Sequence, residues 1–467
     1  MLAWSHYQNW LDPVIASPLP CHLPAPSPRS WCRDSRHIKP GQWYLALKGE
    51  TSDGHRYISE ALSKGAVGFL GEAAAADSLP EAVRLKGILV SDSLTAWQRI
   101  GLGWRLEQKN LTLCALTGSV GKTTCKRMLG ALLACQGETL CPDDNFNNEI
   151  GVPDVLLRLR DHHRFGVLEM GARRPGNIKD LVRISSPNIV ACLNAGNTHI
   201  EIFGSHQALR ETKLEILSHR PPRSVGVVFH DDEILLAQAK AICPDVLTFG
   251  RSPEATVCIL NETWDDQGGL HIKLRIDQKD IQIVFPKGHD SWSINAAAAC
   301  AMAYACGMPP EKMGEALASF KNVKGRFDVI KAGSLTLIDD TYNANPASML
   351  SGLKTFKKLW PDKPGIAILG DMLELGEFSA SEHYKIGEFC AKNMNLQHLV
   401  TVGTASTEIA SGALKAGMPE KNLIHFDHVD DFIKAPPFNT QDDYYIYAKG
   451  SRGLALDKII QFYQSLN

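Results

Sequence analysis

The sequence predicts an α/β protein with more than one domain. From residue 111 onward, short apolar runs that resemble buried strands alternate with segments of helical spacing. Strands that are separated by helices form a mostly parallel sheet. The chain has 467 residues, and a single hydrophobic core stops growing at about 250–300 residues. We therefore expect two or three domains, and the apolar pattern divides into three α/β units.

The composition is that of an ordinary globular protein, with 44% hydrophobic and 21% charged residues. A formal net charge of −2 gives no general attraction to nucleic acid or to a membrane surface. No apolar run is long enough to span a membrane, and residues 1–17 lack the features of a signal peptide. We expect a protein that binds no nucleic acid and does not insert into a membrane.

The cysteines indicate a reducing compartment. Twelve are spread along the chain, and none lies in a C-x-x-C pair or in a Cys/His cluster with zinc spacing. Cys114 and Cys192 lie inside apolar runs and are expected to be buried thiols. This usage is typical of the cytoplasm.

The first unit begins with about 30 proline-rich residues that we expect to be irregular. An apolar run at residues 43–47 predicts a strand, and a helix-like stretch that follows ends at Gly65. A polar linker is expected at residues 101–110.

The second unit has the clearest strand–helix alternation. A buried strand is predicted at 111–116, followed by a loop and by a helix over 122–135 that Gly137 ends. Further strands are predicted at 165–168, 189–193 and 225–229, an antiparallel excursion at 271–285, and an alanine-rich helix from Asn295 to Cys306. The third unit starts near Lys324, with strands predicted at 335–338, 366–369, 399–402 and 444–447.

The strongest chemical signal is a glycine-rich loop between a predicted strand and a predicted helix. Glycines let the backbone curl around phosphate oxygens, and the helix N-terminus offers free N–H groups. Lys122 is suited to reach the β- and γ-phosphates, and the Thr123 hydroxyl is suited to bind Mg²⁺. The P-loop pattern asks for glycine at position 116, where this chain has Leu116. The alternative is a generic glycine-rich turn. The loop comprises Thr117, Gly118, Ser119, Val120, Gly121, Lys122, Thr123 and Thr124.

Two further side chains follow predicted strands of the same sheet. Because the carboxyl ends of parallel strands line the ligand crevice, Glu169 is placed to hold Mg²⁺ beside the P-loop, and His199 lies after the next strand. A solvated glutamate and a structural histidine are the alternatives. Lys213 lies in a predicted helix, where the residues alone indicate a surface lysine paired with Glu211 or Glu215.

Two polar segments end predicted strands of the third unit. Residues 339–346 carry enough polar groups either to cap the next helix or to contact a nucleotide across a cleft. Lys449 and Arg452 form a cation pair that either holds a carboxylate or phosphate or closes a surface loop.

Taken together, these segments resemble the Mur ligase family over nearly the whole chain from Asp34 onward. The matching segments, in family order, are residues 34–36, 53–55, 121–124, 147–153, 169–172, 199–205, Lys213, 325–326, 340–346, 369–376 and 449–452. The segments 340–346 and 369–376 are typical of the family member that adds D-alanyl-D-alanine.

The resemblance implies three domains. These are an N-terminal domain for the UDP-linked substrate at 1–108, a central ATP-binding domain at 109–322, and a Rossmann-like domain at 323–467. The last would bind the incoming dipeptide and part of the nucleotide.

The activity implied is an ATP-dependent ligase, active as a monomer in the cytoplasm. It would join D-alanyl-D-alanine to UDP-N-acetylmuramoyl-tripeptide through an acyl phosphate, the last cytoplasmic step toward the peptidoglycan pentapeptide precursor. Sister Mur ligases and folylpolyglutamate-type ligases are alternatives that the amine acceptor would distinguish. A P-loop kinase or an ATP-switched binding protein would form no amide.

The resemblance also implies roles for single residues. Lys122, Glu169, His199 and Lys213 would be catalytic, with Thr123, Glu169, His199 and a carbamylated Lys213 binding Mg²⁺. ATP would contact Gly118, Ser119, Val120, Gly121, Lys122, Thr123, Thr124, Asn295, Arg326, Asp340, Tyr342 and Asn343. Substrates would contact Ser35, Arg36, Lys48, Asn147, Asn148, Lys449, Ser451 and Arg452.

The chain departs from the family pattern at the adenine-side segment. The family usually has Gly-x-His-Asn-x-x-Asn there, whereas His289 lies two positions early and Ser291 stands at the expected histidine position. Only Asn295 of this segment is therefore expected to contact the nucleotide. His230 stands where the family often has asparagine.

Overall fold

The α/β prediction is confirmed by the computed structural model, which describes residues 2–49, 52–143, 146–196, 203–361, 363, 365–439, 441 and 443–466. These residues contain sheets of four, nine and six strands. One sheet lies within each of the ranges 1–108, 109–322 and 323–467, whose boundaries stay a prediction. Within this described part of the chain, no helix is both long and apolar enough to cross a membrane.

The first sheet is parallel throughout and runs in the order β1-β2-β3-β4. Its strands are β1 (Trp31–Cys32), β2 (Trp43–Leu45), β3 (Gly68–Glu72) and β4 (Gly87–Val90). The helices beside it are Trp4–Leu11, Ile58–Ser63, Ala73–Ala76, Glu81–Arg84 and Ser93–Glu107. Indole rings fill its core, where Trp43 and Trp97 are both fully buried.

Two expectations for this unit are wrong. Residues 4–11 form a helix rather than irregular chain, because Tyr7 and Leu11 bury their side chains in the core of the sheet. Residues 101–107 continue the helix Ser93–Glu107 instead of forming a linker. Gly103 suits this helix because the Trp10 ring occupies the space that a Cβ atom would need.

The central sheet runs in the order β13-β12-β11-β10-β9-β8-β5-β7-β6. Its strands are β5 (Thr112–Thr117), β6 (Thr139–Leu140), β7 (Phe165–Glu169), β8 (Ile189–Cys192), β9 (Val225–Phe229), β10 (Leu247–Gly250), β11 (Val257–Trp264), β12 (Leu270–Ile276) and β13 (Lys279–Phe285). Strands β5 to β11 pair in parallel, whereas β11, β12 and β13 pair antiparallel. The predicted antiparallel excursion is thereby confirmed.

Helices cover both faces of the central sheet and bury one apolar layer on each side. They are Lys122–Ala134, Gly151–Leu156, Asn177–Ser185, His206–Ser218, Glu233–Ile242, Trp292–Ala305 and Met313–Ala318. The alanine-rich helix Trp292–Ala305 is buried because its small side chains let it pack closely against the helix Lys122–Ala134.

The third sheet runs in the order β14-β15-β19-β16-β17-β18 and is parallel except for β14. Its strands are β14 (Asp328–Ala332), β15 (Leu335–Asp339), β16 (Gly365–Gly370), β17 (Leu396–Val402), β18 (Leu423–Phe426) and β19 (Tyr445–Lys449). Its helices are Pro346–Leu359, Ser379–Asn393, Thr407–Lys415, Val429–Lys434 and Asp457–Ser465.

The strand order of the central sheet positions a ligand crevice. Strand β5 lies between β8 and β7, so the chain leaves β5 in one direction and later returns on its other side. In open α/β sheets, ligands bind outside the carboxyl ends of the strands at such a reversal. Thr117, Glu169 and Cys192 end these three strands.

Candidate active site

The glycine-rich loop joins β5 to the helix Lys122–Ala134, as predicted. Gly121 has φ 81°, and a Cβ atom there would collide with Oδ1 of Asn295, so only glycine suits this position. The Oδ1 atom of Asn194 accepts hydrogen bonds from the backbone N–H groups of Ser119 (2.9 Å) and Val120 (3.0 Å). Asn194, which follows β8, thus holds the backbone of the loop in place. Nothing in the sequence indicated this role.

Lys122 folds back over its own loop. Its Nζ atom donates hydrogen bonds to the carbonyl oxygens of Gly118 (2.8 Å) and Ser119 (3.3 Å). Burial lowers the pKa of the Lys122 ammonium, against the opposing field of the Glu169 carboxylate. The ammonium therefore lies at the centre of the loop, where a phosphate chain would be bound.

Glu169 is a buried carboxylate at the end of β7. Its Oε2 atom accepts a hydrogen bond from Oγ1 of Thr123 (2.8 Å), and its Oε1 atom accepts one from Nδ2 of Asn147 (3.1 Å). Burial alone would raise the pKa of Glu169, but Lys122, Lys126 and Arg326 together hold it below its ordinary value. Glu169 is therefore an anion surrounded by cations.

Lys213 is not a surface residue. It is 2% exposed, and burial, followed by the field of Lys122, lowers the pKa of its ammonium to about 7. Glu215 does not pair with it, since that carboxylate accepts hydrogen bonds from the backbone N–H groups of Gly176 (2.6 Å) and Lys179 (2.9 Å). The surface interpretation of Lys213 is therefore wrong, and the residue lines the cleft beside the P-loop.

The third unit reaches the P-loop through Arg326. Its Nη2 atom donates a hydrogen bond to Oγ1 of Thr123 (2.9 Å), and its guanidinium lies 4.2 Å from the ring centroid of Tyr342. This cation–π contact fixes the plane of the guanidinium over the loop.

Asp340 and Lys449 form a buried ion pair at the cleft wall. The Nζ atom of Lys449 lies 2.8 Å from Oδ2 of Asp340, which also accepts a hydrogen bond from the Tyr447 hydroxyl (2.9 Å). Nζ also donates to the carbonyl oxygen of Asn343 (2.9 Å). Burial lowers the pKa of Lys449, and Asp340 opposes that shift. Both charges are thus balanced within the third unit.

A cavity of about 490 Å³ lies between the central and third units, and residues of both line it. Its lining includes the predicted residues Ser119, Val120, Gly121, Lys122, Thr123, Asn147, Asn148, Glu169, Lys213, Arg326, Asp340, Tyr342, Asn343 and Lys449. A phosphate-binding loop, a buried carboxylate and a low-pKa lysine therefore face one space, which the third unit covers.

Comparison with known proteins identifies the family. The Mur ligase middle domain matches residues 116–303, the glutamate ligase domain of Mur ligases matches 325–452, and the Mur ligase catalytic domain matches 32–103. A UDP-N-acetylmuramoyl-tripeptide–D-alanyl-D-alanine ligase of Synechocystis is 34% identical over 76% of this chain and 75% of its own length.

Solved structures agree with these matches. MurF from Acinetobacter baumannii superposes with a TM-score of 0.86 and 27% identity, over 99% of this chain and 98% of that one. MurF ligase from Thermotoga maritima in complex with ADP superposes with a TM-score of 0.79 and 26% identity, over 94% and 97%.

The chain belongs to the Mur ligase family. It is an enzyme of the ligase class that uses ATP.

The predicted substrate residues of the first unit line a separate pocket of this Mur ligase, here called the N-terminal pocket. Ser35, Arg36 and Lys48 line a cavity of about 1110 Å³ between the first and central units. The Arg36 guanidinium donates to both carboxylate oxygens of Asp34, with Nε 2.9 Å from Oδ1 and Nη2 2.7 Å from Oδ2. These bonds and one from the Arg36 backbone N–H hold the pKa of Asp34 well below its ordinary range.

Arginines that the sequence analysis missed also line the N-terminal pocket, namely Arg29, Arg33, Arg158 and Arg160. Arg33 of the first unit pairs with Asp154 of the central unit at 2.5 Å, and so joins the two walls of the pocket. These arginines come from two segments that are far apart in the chain. No local motif in the sequence therefore indicated that they would line one pocket.

The remaining predicted residues fall outside the main cavity or outside the described residues. Ser451 and Arg452 line a smaller cavity of about 280 Å³ next to it. Gly118 and Thr124 belong to the glycine-rich loop but do not line the main cavity, and Asn295 is buried against Gly121. His199 lies in the segment 197–202, outside the described residues.

His289 packs inside this Mur ligase. Its ring lies edge-on to Phe327 at 5.0 Å, and its Nδ1 atom lies 3.0 Å from the Ser291 hydroxyl. Burial lowers its pKa to about 4, so the ring is neutral at pH 7. We therefore interpret His289 as a structural residue.

Proposed function

We propose that this Mur ligase joins D-alanyl-D-alanine to UDP-N-acetylmuramoyl-tripeptide in an ATP-dependent reaction of peptidoglycan synthesis. The observation that carries this proposal is the meeting of Lys122, Glu169 and Lys213 in one cleft that Arg326 of the third unit closes. The curated relative from Synechocystis is named for this reaction. We place the reaction in the cytoplasm, which agrees with twelve free cysteines, and we propose that the enzyme acts as a monomer.

The first step activates a carboxylate that would not react with an amine by itself. The terminal carboxylate of the tripeptide attacks the γ-phosphorus of ATP, which forms an acyl phosphate and releases ADP. Negative charge develops on the phosphoryl oxygens, and Lys122, Arg326 and the N–H groups that begin the helix Lys122–Ala134 are placed to stabilise it.

The second step forms the amide. The amine of the dipeptide attacks the acyl carbon, the new C–N bond forms, and phosphate leaves with the electrons of the C–O bond. Because water would hydrolyse the acyl phosphate, the contact of the third unit with the P-loop protects it.

The residues present fit a magnesium ion. The Glu169 carboxylate and the Thr123 hydroxyl lie 2.8 Å apart and are the hard oxygen donors that Mg²⁺ prefers. Among the described residues, no three histidine, cysteine, aspartate or glutamate side chains cluster, so these two donors would need further ligands. His199 and a carbamylated Lys213 are the proposed ones. When bound, Mg²⁺ would neutralise charge on the phosphates of ATP.

Carbamylation of Lys213 is supported by the state of its amine. An amine must be unprotonated to attack CO₂, and with a pKa of about 7 a large fraction of Lys213 is neutral at pH 7. The product is an anionic carbamate, and Lys122 beside it is a suitable counter-charge.

The test is ATP-dependent phosphate release with UDP-N-acetylmuramoyl-tripeptide, with and without D-alanyl-D-alanine, together with the mass of the product. Dipeptide-dependent release and a product heavier by the dehydrated dipeptide are expected. Coupling of a single amino acid or glutamate instead would identify a sister or folylpolyglutamate-type ligase. Phosphate transfer without an amide would overturn the ligase proposal in favour of a kinase. Tripeptides that end in diaminopimelate or in lysine, tested side by side, would determine the third residue.

A further inference from the structure

The smaller cavity beside the ATP cleft carries a specific set of charges. It is lined by Arg173 of the central unit and otherwise by residues of the third unit, and it has a volume of about 280 Å³. Among the described residues that line it, Glu374 is the single carboxylate, and Arg173 and Arg452 are the cations. One anion and two cations in one small space suit a zwitterion with an ammonium and a carboxylate group.

The positions of these charges would orient a bound zwitterion within the cavity. Glu374 and Arg173 line both this cavity and the ATP cleft, so they lie where the two spaces join. Arg452 lines only the smaller cavity, and its Nη1 atom pairs with Asp457 at 3.2 Å. An ammonium at Glu374 would face the activated carboxyl group, while a carboxylate at Arg452 would face away from it.

The remaining walls suit short aliphatic side chains. Ala344, Leu373 and Leu375 contribute apolar surface, and Leu373 is 50% exposed there. A Cβ atom on Gly453 would lie 3.2 Å from the Leu373 side chain, which shows how close these two segments are. Such apolar surface is compatible with the methyl groups of a D-alanyl dipeptide.

The loop that carries Glu374 is fixed from three sides. The backbone N–H of Met372 donates to Nε2 of His383 (2.8 Å), and that of Leu373 donates to the Ser451 hydroxyl (2.9 Å). Oδ1 of Asp371 accepts from the N–H of Ser406 (2.7 Å). Glu374 itself has φ 65°, in the left-handed region that non-glycine residues avoid. The surroundings therefore fix the backbone from which the Glu374 side chain projects.

From this geometry we propose that Glu374 binds the ammonium group of the incoming dipeptide and accepts its proton, which makes Glu374 a catalytic residue of the second step. This inference rests on the proposed function. One N–H proton passes from the ammonium to the Glu374 carboxylate, and the freed lone pair forms the C–N bond as the C–O bond to phosphate breaks. Glu374 is exposed and returns its proton to water, and the second N–H proton leaves the amide nitrogen to water.

The test compares two nucleophiles in the full-length enzyme. Hydroxylamine is largely unprotonated at neutral pH and traps an acyl phosphate as a hydroxamate, so it needs no proton acceptor. In E374Q, dipeptide coupling should fall about 100-fold in kcat or more, whereas hydroxamate formation from ATP and tripeptide should stay within about twofold. E377Q changes an exposed carboxylate three residues away and should leave both rates unchanged.

The outcomes separate this inference from the proposed function. Coupling by E374Q within about threefold of wild type would overturn the role of Glu374, and so would an equal loss of coupling and trapping. A wild-type enzyme that forms hydroxamate but no dipeptide product would instead overturn the choice of acceptor in the proposed function. Retained trapping in E374Q also shows that the variant is folded.

Discussion

The Nη2 atom of Arg326 donates a hydrogen bond to Oγ1 of Thr123 over 2.9 Å, although the two residues lie 203 positions apart in the chain. Thr123 in turn donates to Glu169. A relay of three side chains thus connects the third unit, the P-loop and the buried carboxylate. The approach of the third unit and the arrangement of the phosphate site are therefore coupled.

The first prediction concerns this relay. R326A removes the charge that reaches the P-loop, and hydrogen bonds to charged groups contribute about 1.5–3 kcal/mol. We expect kcat/KM for ATP to fall about 10–100-fold. R326K keeps the charge but loses the planar stacking on Tyr342, so its kcat/KM should lie between those of R326A and the wild type. Steady-state kinetics check this, with R251A as an arginine control in an exposed ion pair. R326A kinetics equal to wild type would contradict the relay.

The second prediction concerns the buried carboxylate. E169Q leaves Lys122, Lys126 and Arg326 without their anion, so the free energy of unfolding should fall by about 3 kcal/mol. Ligase activity should fall at least about 100-fold. Urea unfolding and coupling assays measure the two effects. The control is E388Q, which breaks a surface pair with Lys392 and should change stability by less than about 0.5 kcal/mol. Full activity of E169Q would exclude Glu169 from the site.

The third prediction follows from the pKa of Lys213. The unfolded lysine keeps its proton up to about pH 10.5, whereas the folded one loses it near pH 7. Because the unfolded state binds more protons within this window, stability from this group rises with pH between 7 and about 10, by at most about 1.4 kcal/mol per pH unit. K213M should lose that rise. Urea unfolding at pH 7, 8 and 9 in buffer freed of CO₂, where Lys213 carries no carbamate, measures it, with K385M as the exposed control. Parallel pH curves for K213M and wild type would contradict the shift.

A fourth prediction tests the carbamate. If Lys213 reacts with CO₂, removal of bicarbonate should lower the ligase rate of the wild type several-fold and its return should restore the rate. Labelled bicarbonate should give a carbamate carbon signal in NMR spectra that K213Q lacks. A rate that is independent of bicarbonate, together with no carbamate signal, would remove Lys213 from the proposed metal ligands.

A fifth prediction addresses the buried pair in the third unit. Y447F deletes a hydroxyl that donates to Asp340 in the core, which should lower the free energy of unfolding by about 1–3 kcal/mol. Y445F is the matched control, because the contacts of Tyr445 within the described part of the chain are made by its ring and not by its hydroxyl. Thermal or urea unfolding gives the comparison. Equal stability of the two variants would show that the ion pair with Lys449 is enough to stabilise the buried Asp340 carboxylate.

The individual strands, turns and helices of this protein follow largely from the spacing of apolar residues and glycines in short segments. The strand β5, the glycine-rich loop and its helix were predictable, because burial periodicity and glycine placement act over a few residues. Glu169 was predictable at a crevice because parallel strands share one carboxyl edge. The helix Trp4–Leu11 was missed among prolines, since its stability comes from burying Tyr7 in a core that forms elsewhere.

The sequence by itself thus determined the fold class, the phosphate-binding loop and, through its resemblance to the Mur ligases, the family. Tertiary structure alone decided that Lys213 is buried, that Asp340 is held by Lys449 and Tyr447, and that Glu374 stands between two cavities. The physical reason is distance along the chain. Burial and ion pairing depend on which remote segments pack together, whereas glycine turns and helix starts depend on neighbouring residues.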